Sequence, residues 1–258
     1  MNTQEKWRTI YPTFQPRVSK TGRKAVAEQM RMKGSVRQEQ IRMQEFTCVT
    51  GMILKQTPVG EYDRRVCILT KEKGKISAFA RGARRPGNRL AAAVNPFSFG
   101  VFKLYAGRDS YTIAEADIQN YFEELLTDYI GACYGVYFAE VADYYTRENN
   151  DEKEMLKLLY QSLRALCAPA LPDELVKCIF ELKAIVVNGE YPGAPKNRKL
   201  EESTLYALNY IAASPVEKLY TFTVTDSVLA ELKQVAGEYR KRFMDREFKS
   251  LEILKTLC

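Results

Sequence analysis

Four arginines lie within nine residues of the segment AFARGARRPGNRL, residues 78–90, namely Arg81, Arg84, Arg85 and Arg89. The guanidinium group is planar, remains charged, and donates paired hydrogen bonds that match the oxygens of a phosphate. Two glycines and a proline between the arginines disfavour a regular helix or strand, so the side chains are free to spread along a ligand. The segment therefore predicts a loop that binds phosphate groups.

The sequence lacks the residues on which much enzymatic chemistry depends. It contains no histidine, which removes serine–histidine and cysteine–histidine nucleophile pairs and every metal site that uses imidazole. No Cys-x-x-Cys pair occurs, and Gly74-Lys75 has no upstream glycine that would complete a nucleotide-binding phosphate loop. We predict a non-enzymatic protein with no catalytic residues, no bound metal and no cofactor.

Cysteine usage and hydropathy predict the compartment. The six cysteines stand singly, mostly in apolar segments, which favours buried thiols over disulfides and hence a reducing cytoplasm. The chain has no apolar run of 18 or more residues, and its first residues do not resemble a secretory signal. We expect a cytoplasmic protein that has no membrane partner.

Positive charge is concentrated in the first half of the chain. Residues 1–42 carry ten lysines and arginines against three acids, residues 43–120 carry twelve against seven, and residues 121–258 carry seventeen against twenty-two. A polyanion is therefore the expected partner of the first half. Apolar residues in 1–42 are sparse and aperiodic, which indicates a disordered basic arm; the alternative is a reading frame extended upstream of a start at Met43.

Apolar and polar residues alternate over five segments after Phe46, which predicts five β-strands. The predicted strands are residues 46–57, 64–70, 75–81, 97–107 and 110–118. A short helix at 90–94 lies between the third and fourth strands, and this order is that of an OB-fold barrel, whereas a five-stranded SH3-like barrel, the alternative, lacks the helix. We predict an OB-fold domain over residues 43–120.

Beyond residue 121 the spacing of apolar residues becomes helical. In residues 155–166, for example, Leu156, Leu159 and Leu163 fall on one face of a helix. The predicted helices are residues 127–147, 155–166, 172–189, 203–213, 226–242 and 249–257, with Pro172 in a first turn. The chain is thus predicted to be an α+β protein in which an all-helical domain, residues 121–258, follows the barrel.

Further side chains of the barrel are candidates for nucleic-acid binding. Lys71, Lys73 and Lys75 precede the arginines and are expected to extend their basic surface. Tyr105, with Tyr111 and Phe102, is expected to offer ring faces on which unpaired bases stack.

Two other functions compete with this interpretation. Phosphate is common to DNA and RNA, so an RNA-binding or ribosome-associated protein is one alternative. The other is a nuclease that uses the carboxylates Asp109, Glu115 and Asp117, although Glu115 and Asp117 alternate on one strand face as solvent-facing residues do.

Three stretches of the barrel resemble the RecO family of bacterial recombination mediators. They are GEYDR (60–64), GKISAFARGARRP (74–86) and the pattern formed by Arg89, Leu90, Pro96 and Phe97. At the other end of the chain, FKSLEIL (248–254) is similar to the close of the family's last helix. In GEYDR we expect Glu61, Asp63 and Arg64 to lock a turn by a local ion pair, with direct DNA contact as the alternative.

The resemblance implies partners. The family binds single- and double-stranded DNA, anneals complementary strands, pairs with RecR, contacts the tail of single-strand DNA-binding protein, and helps to load RecA. It also implies that Lys75 and the four arginines are the phosphate contacts.

The helical domain carries two further expectations. Many family members have a four-cysteine zinc module where this chain has the cysteine-free YPGAPKNRK (191–199), so the zinc module is expected to be absent. The tail of single-strand DNA-binding protein is acidic and ends in an apolar residue, which requires a basic-rimmed apolar groove. Lys177, Phe180 and Lys183 are predicted to form that groove.

Overall fold

The computed structural model describes residues 46–108 and 110–257. The predictions for residues 1–42 and for Asp109 lie outside these ranges. The five strands are β1 (Phe46–Val59), β2 (Asp63–Thr70), β3 (Gly74–Ala80), β4 (Phe99–Ala106) and β5 (Tyr111–Asn120). A one-turn helix, α1 (Leu90–Ala93), lies between β3 and β4.

The strands close into a barrel in the order β1-β2-β3-β5-β4. All neighbouring pairs are antiparallel except β3 and β5, which are parallel. Closure gives every strand two neighbours in the sheet, although β3 and β5 pair only at Ala78 with Tyr111 and at Phe79 with Thr112. The predicted OB-fold barrel, with its helix between the third and fourth strands, is confirmed.

The period-two pattern decides which side chains fill the barrel. Val66, Ile68, Ile76 and Leu104 are among the fully buried residues of its interior. Phe102 is also fully buried there, so its ring cannot stack on a base, contrary to the prediction. The residues that alternate with this inward set face outward, and they form the surfaces on which a ligand can lie.

Six α-helices of the described residues follow the barrel. They are α2 (Tyr129–Tyr145), α3 (Lys153–Leu166), α4 (Asp173–Val187), α5 (Glu202–Ala213), α6 (Asp226–Phe243) and α7 (Lys249–Leu257), with 3-10 turns at Glu123–Leu126 and Val216–Lys218. The predicted helices are therefore confirmed. Pro172 is the extended residue before α4 and not part of its first turn. No helix in residues 46–108 and 110–257 is long and apolar enough to cross a membrane.

The helix α4 lies in the middle of the helical part and is buried on almost all sides. Its Glu181 is 1% exposed and accepts hydrogen bonds from the Tyr137 hydroxyl at 2.6 Å and from Arg240 at 2.9 Å. These bonds join α2, α4 and α6 through one carboxylate. A charge so deeply buried is tolerated only when it is paired in this way.

The barrel packs directly on the helices. Met52, Leu54 and Leu69, on its outer surface, belong to the same buried cluster as the helical core. At the β2–β3 turn the Lys75 N–H donates to the Arg147 carbonyl at 2.9 Å, and the Asn149 N–H donates to the Lys73 carbonyl at 2.9 Å. Part of the outer surface of the barrel is thereby covered by the helices.

Candidate nucleic-acid interface

The arginine segment, residues 81–89, leaves β3 and leads into α1 through a series of turns. Gly82 and Gly87 have φ of +66° and +74°, in the left-handed region that glycine adopts without strain. All four arginines of the segment are exposed. The predicted irregular loop is therefore present, with its charges at the surface.

The turn GEYDR, between β1 and β2, supports this segment. The Asp63 carboxylate accepts a hydrogen bond from the Gly82 N–H at 2.7 Å, and the Tyr62 carbonyl accepts one from the Arg84 N–H at 2.9 Å. The Gly60 carbonyl accepts a further bond from the Arg84 side chain at 3.0 Å. These bonds fix a backbone that has no regular structure of its own.

Two side-chain contacts complete the support. Arg64 donates to the Ala91 carbonyl at 3.1 Å and to the Asn95 side chain at 3.3 Å, and so anchors α1. The Arg85 guanidinium lies 4.6 Å from the centre of the Tyr62 ring. The sequence predicted a turn locked within itself by an ion pair. Instead, GEYDR bonds across to the arginine segment and to α1.

A groove of about 830 Å³ lies between the arginine segment and the outer surface of β1, β4 and β5. Arg81 and Arg89 stand on one wall, and neither guanidinium has a hydrogen bond or ion pair with the residues that the structure describes. Their donors are thus available to a ligand. We call this the arginine groove.

The opposite wall of the arginine groove carries both signs of charge. Lys103 on β4 bonds to Glu115 on β5 at 3.4 Å, and Asp117 lies two residues further along β5. Glu115 and Asp117 are exposed, as expected of solvent-facing positions. Among the residues described, no group of three or more histidine, cysteine, aspartate or glutamate side chains is arranged to hold a metal ion.

Aromatic rings continue the surface away from the arginines. Phe46 is 44% exposed, and its ring centre lies 4.6 Å from that of Tyr105, the residue opposite it on β4. The Lys103 ammonium is 4.2 Å from the centre of the Phe46 ring. Further along, the Lys73 ammonium is 5.7 Å from the Tyr111 ring centre. Lys103, Phe46 and Tyr105 therefore place a cation beside two rings at the outer surface, whereas Tyr111 packs against the interior of the barrel.

Phe46 and Lys103 are the residues that sequence reasoning missed. Phe46 lies 59 positions before Tyr105, and only the β1–β4 pairing brings the two rings together. The sequence does contain a signal for Lys103. In β4, Lys103 and Tyr105 alternate with the buried Phe102 and Leu104, which indicates that Lys103 and Tyr105 point outward.

The three lysines before the arginine segment are separated from the arginine groove. Lys71 and Lys73 lie in the β2–β3 turn, at the opposite end of β3 from Arg81, roughly 20 Å away at the usual rise per strand residue. The Lys75 ammonium bonds to the Asp143 carbonyl at 2.5 Å and to its carboxylate at 3.1 Å. Lys75 thus joins the barrel to α2. It does not extend the arginine surface, contrary to the prediction.

The structure corrects the partner groove predicted on α4. Phe180 is fully buried and stacks on Phe138 with ring centres 4.3 Å apart. Lys183 is 7% exposed and donates to the Ala212 and Ser214 carbonyls at 3.0 and 2.7 Å, where it satisfies the end of α5. Burial lowers its pKa. Lys177 alone of the three is partly exposed, so these side chains form no open groove.

The segment between α4 and α5 is held against α6. The Tyr239 hydroxyl donates to the Gly193 carbonyl at 2.6 Å, and Arg198 pairs with Glu238 at 2.9 Å. The Tyr191 and Tyr239 rings meet edge to face at 5.9 Å. Direct packing thus positions the segment from which the zinc module was expected to be absent.

Comparison with known proteins agrees with this architecture. A family model described as Recombination protein O N terminal matches residues 43–122, and one described as Recombination protein O C terminal matches residues 126–194. The chain belongs to the RecO family. The first model covers all five strands, and the second begins just before α2.

Relatives in the RecO family cover most of the chain. The DNA repair protein RecO of Acetivibrio thermocellus is 28% identical over 241 residues, which is 81% of this chain and 96% of the relative. That of Alkaliphilus metalliredigens is 28% identical over 240 residues, 80% of this chain and 98% of the relative. The RecO of Symbiobacterium thermophilum is 34% identical over 144 residues, 56% of this chain and 57% of the relative.

Proposed function

We propose that this protein acts in DNA repair by recombination, as a non-enzymatic mediator that binds single-stranded DNA along the outer face of β4 and β5. The observation that carries the proposal is the arginine groove. Arg81 and Arg89 present unused donors there, beside the ring pair formed by the exposed Phe46 and the half-buried Tyr105. Phosphates bind to the arginine donors, and unpaired bases stack on the aromatic rings.

The charges of the groove suggest how a strand lies. The lining holds the three cations Arg81, Arg89 and Lys103 and the two carboxylates Glu115 and Asp117, which leaves one net positive charge. Phosphates would follow the arginine wall, where Arg84 and Arg85 add charge at the rim. Bases would turn toward the rings, and Lys73 beside Tyr111 would meet the far end of the strand.

Membership of the RecO family supports the finer roles. We propose that the protein also binds duplex DNA, anneals complementary strands, and works with RecR and with single-strand DNA-binding protein to help RecA load. The mediator role needs no bound cofactor. The docking surface for the acidic tail of single-strand DNA-binding protein lies away from Phe180 and Lys183, since both are buried.

The test is the salt dependence of binding by the variant Arg81→Ala/Arg89→Ala. Each lost phosphate contact on a single strand lowers the slope of log affinity against log salt by about 0.7, so the pair should lower it by about 1.4. All DNA sequences should be affected alike, because phosphate contacts carry no base information. Fluorescence anisotropy with labelled oligonucleotides over a salt series measures the slope.

A matched variant separates contact from net charge. Lys196 and Lys255 are exposed and have no ion pair with the described residues, so Lys196→Ala/Lys255→Ala removes the same charge far from the groove in sequence. Equal loss of binding in the two variants would contradict the proposed groove. Repeating the series with RNA tests the RNA-binding alternative, which predicts tighter binding of RNA than of DNA.

A further inference from the structure

A second basic groove, of about 500 Å³, lies on another face of the barrel. It is lined by the end of β1, by β2 and β3, by the last turn of α2 and by the segment that follows α2. Its positively charged side chains are Lys55, Lys75, Arg65 and Arg147, and its carboxylates are Asp143 and Glu148. Four cations against two carboxylates leave two net positive charges, one more than in the arginine groove.

Asp143 orients the lysines of this second groove and neutralises only part of its positive charge. Its carboxylate accepts from Lys55 at 2.7 Å and from Lys75 at 3.1 Å, and its side chain is only 12% exposed. Burial opposes ionisation of Asp143, but the lysine hydrogen bonds outweigh it and hold the pKa of the carboxyl below its ordinary value. The Lys55 side chain remains 60% exposed, so its other ammonium donors face solvent.

The two arginines of the second groove are held at fixed positions. The Nε of Arg65 donates to the Ser77 hydroxyl at 2.8 Å, and no bond from its terminal nitrogens to the described residues is found. Arg147 donates through one terminal nitrogen to the Tyr144 and Thr146 carbonyls at 2.6 and 2.9 Å. Side chains restrained in this way lose little entropy when a phosphate binds to their remaining donors.

The two grooves are separate sites. They share no lining residue. The arginine groove uses the outer surface of β4 and β5, whereas the second groove uses that of β2 and β3. In the closed barrel these strand pairs meet only where β3 pairs with β5 and where β1 bridges β2 and β4.

We infer that the second groove binds the phosphodiester backbone of a second nucleic-acid strand while the arginine groove holds the first. The inference rests on the proposed function. It makes one chain a two-strand binder, in which complementary strands are held on neighbouring faces of the same barrel. The second groove is lined mainly by cations and small polar groups with no exposed ring, so it should hold a backbone without stacking its bases.

The stoichiometry of short oligonucleotides tests the inference. An octamer of single-stranded DNA matches the length that one barrel face accommodates, about four to sixteen nucleotides. Native mass spectrometry at saturating octamer should find two per wild-type chain and one per chain of Lys55→Glu/Arg65→Glu. The affinity of the remaining octamer should change by less than about threefold, because only long-range charge is altered.

A kinetic readout uses the same variant. Annealing of two complementary strands should slow by at least about tenfold in Lys55→Glu/Arg65→Glu, since losing two or more phosphate contacts weakens the second strand by that order. Lys55→Gln/Arg65→Gln, which adds no negative charge, should show the same pattern more weakly. Thermal melting of both variants verifies the fold, and the glutamine variant decides the question if the glutamate variant fails to fold.

The possible outcomes separate the inference from the function on which it rests. One octamer per wild-type chain, or weakening of the same single binding event by Lys55→Glu/Arg65→Glu and by Arg81→Ala/Arg89→Ala, would overturn the second site and leave the arginine groove intact. Absence of DNA binding by the wild type, or no effect of Arg81→Ala/Arg89→Ala, would overturn the proposed function itself.

Discussion

The Asp63 carboxylate accepts a hydrogen bond from the backbone N–H of Gly82 at 2.7 Å, and this contact ties the β1–β2 turn to the start of the arginine segment. A negative side chain thus holds a positive loop in place without touching a ligand. The shape of the loop and its charge can therefore be varied separately, which is the basis of the first prediction.

Replacing Asp63 with alanine should weaken binding of single-stranded DNA about threefold to tenfold. The change removes the acceptor for Gly82, a contribution of about 1 kcal/mol to loop order. It also makes the protein more positive, so a loop that acted only through net charge would bind DNA more tightly. Anisotropy titrations at fixed salt give the sign of the effect.

Asp63→Asn is the matched control. It makes the same change in charge but keeps a side-chain oxygen that can accept from Gly82. Binding by this variant should stay close to that of the wild type, or strengthen slightly. If the alanine and asparagine variants bind DNA equally, the hydrogen bond does not position the loop.

The four arginines should contribute unequally. The Arg84 side chain already donates to the Gly60 carbonyl and Arg85 lies over the Tyr62 ring, whereas Arg81 and Arg89 line the arginine groove. Arg84→Ala/Arg85→Ala should therefore lower the salt slope by less than about 0.7, against about 1.4 for the Arg81 and Arg89 pair. Equal slopes for the two double variants would show that the cluster acts as diffuse charge.

Gly74 should tolerate no side chain. Its φ is +64°, and an added β-carbon would lie 2.3 Å from the Arg147 carbonyl oxygen, where the barrel meets the helices. Gly74→Ala should lower the free energy of unfolding by about 2 kcal/mol or more, since it combines backbone strain with a backbone clash. Urea denaturation measures the loss.

Gly60→Ala separates the two causes. Gly60 has a similar φ of +57°, but an added β-carbon would meet nothing within 4 Å. This variant should lose only the strain, about 1 kcal/mol. A loss as large as that of Gly74→Ala would mean that close packing at the β2–β3 turn contributes nothing.

The Cys67 thiol should be unreactive in the folded protein. Burial, followed by the neighbouring Asp143 charge, raises its pKa from the ordinary 9.0 to about 11, and the thiol form is a poor nucleophile. At pH 8 iodoacetamide should modify the exposed Cys48 well before Cys67, as peptide mass spectrometry can establish. Modification of Cys67 at the rate of Cys48 would contradict its burial.

The raised pKa also predicts the direction of a pH effect on stability. The folded state keeps the Cys67 proton up to a pH of about 11, whereas the unfolded chain releases it near 9.0. The stability due to this group is therefore complete below pH 9 and declines as the pH rises toward 11. Between pH 9 and 11 the free energy of unfolding should fall less steeply in Cys67→Ala than in the wild type.

Much of the fold could be predicted from the sequence because its signals are local. The alternation in residues 64–70 and 75–81 follows from one barrel face being buried, and the observed strands Asp63–Thr70 and Gly74–Ala80 agree within one residue at each end. The arginines at residues 81–89 exclude burial by their charge, so their exposure also followed from the sequence.

The tertiary structure decided which of the remaining candidates face a ligand. Lys75 faces outward from the barrel, but it lies beside α2, away from the arginine groove, where it pairs with Asp143. Phe180 and Lys183 lie on a helix that others enclose, so the usual division into an apolar and a solvent face does not apply. The Phe46 ring lies beside the Tyr105 ring only because β1 pairs with β4. Periodicity reports one side of an element at a time, whereas exposure depends on which distant segment packs against that side, and this information is not local.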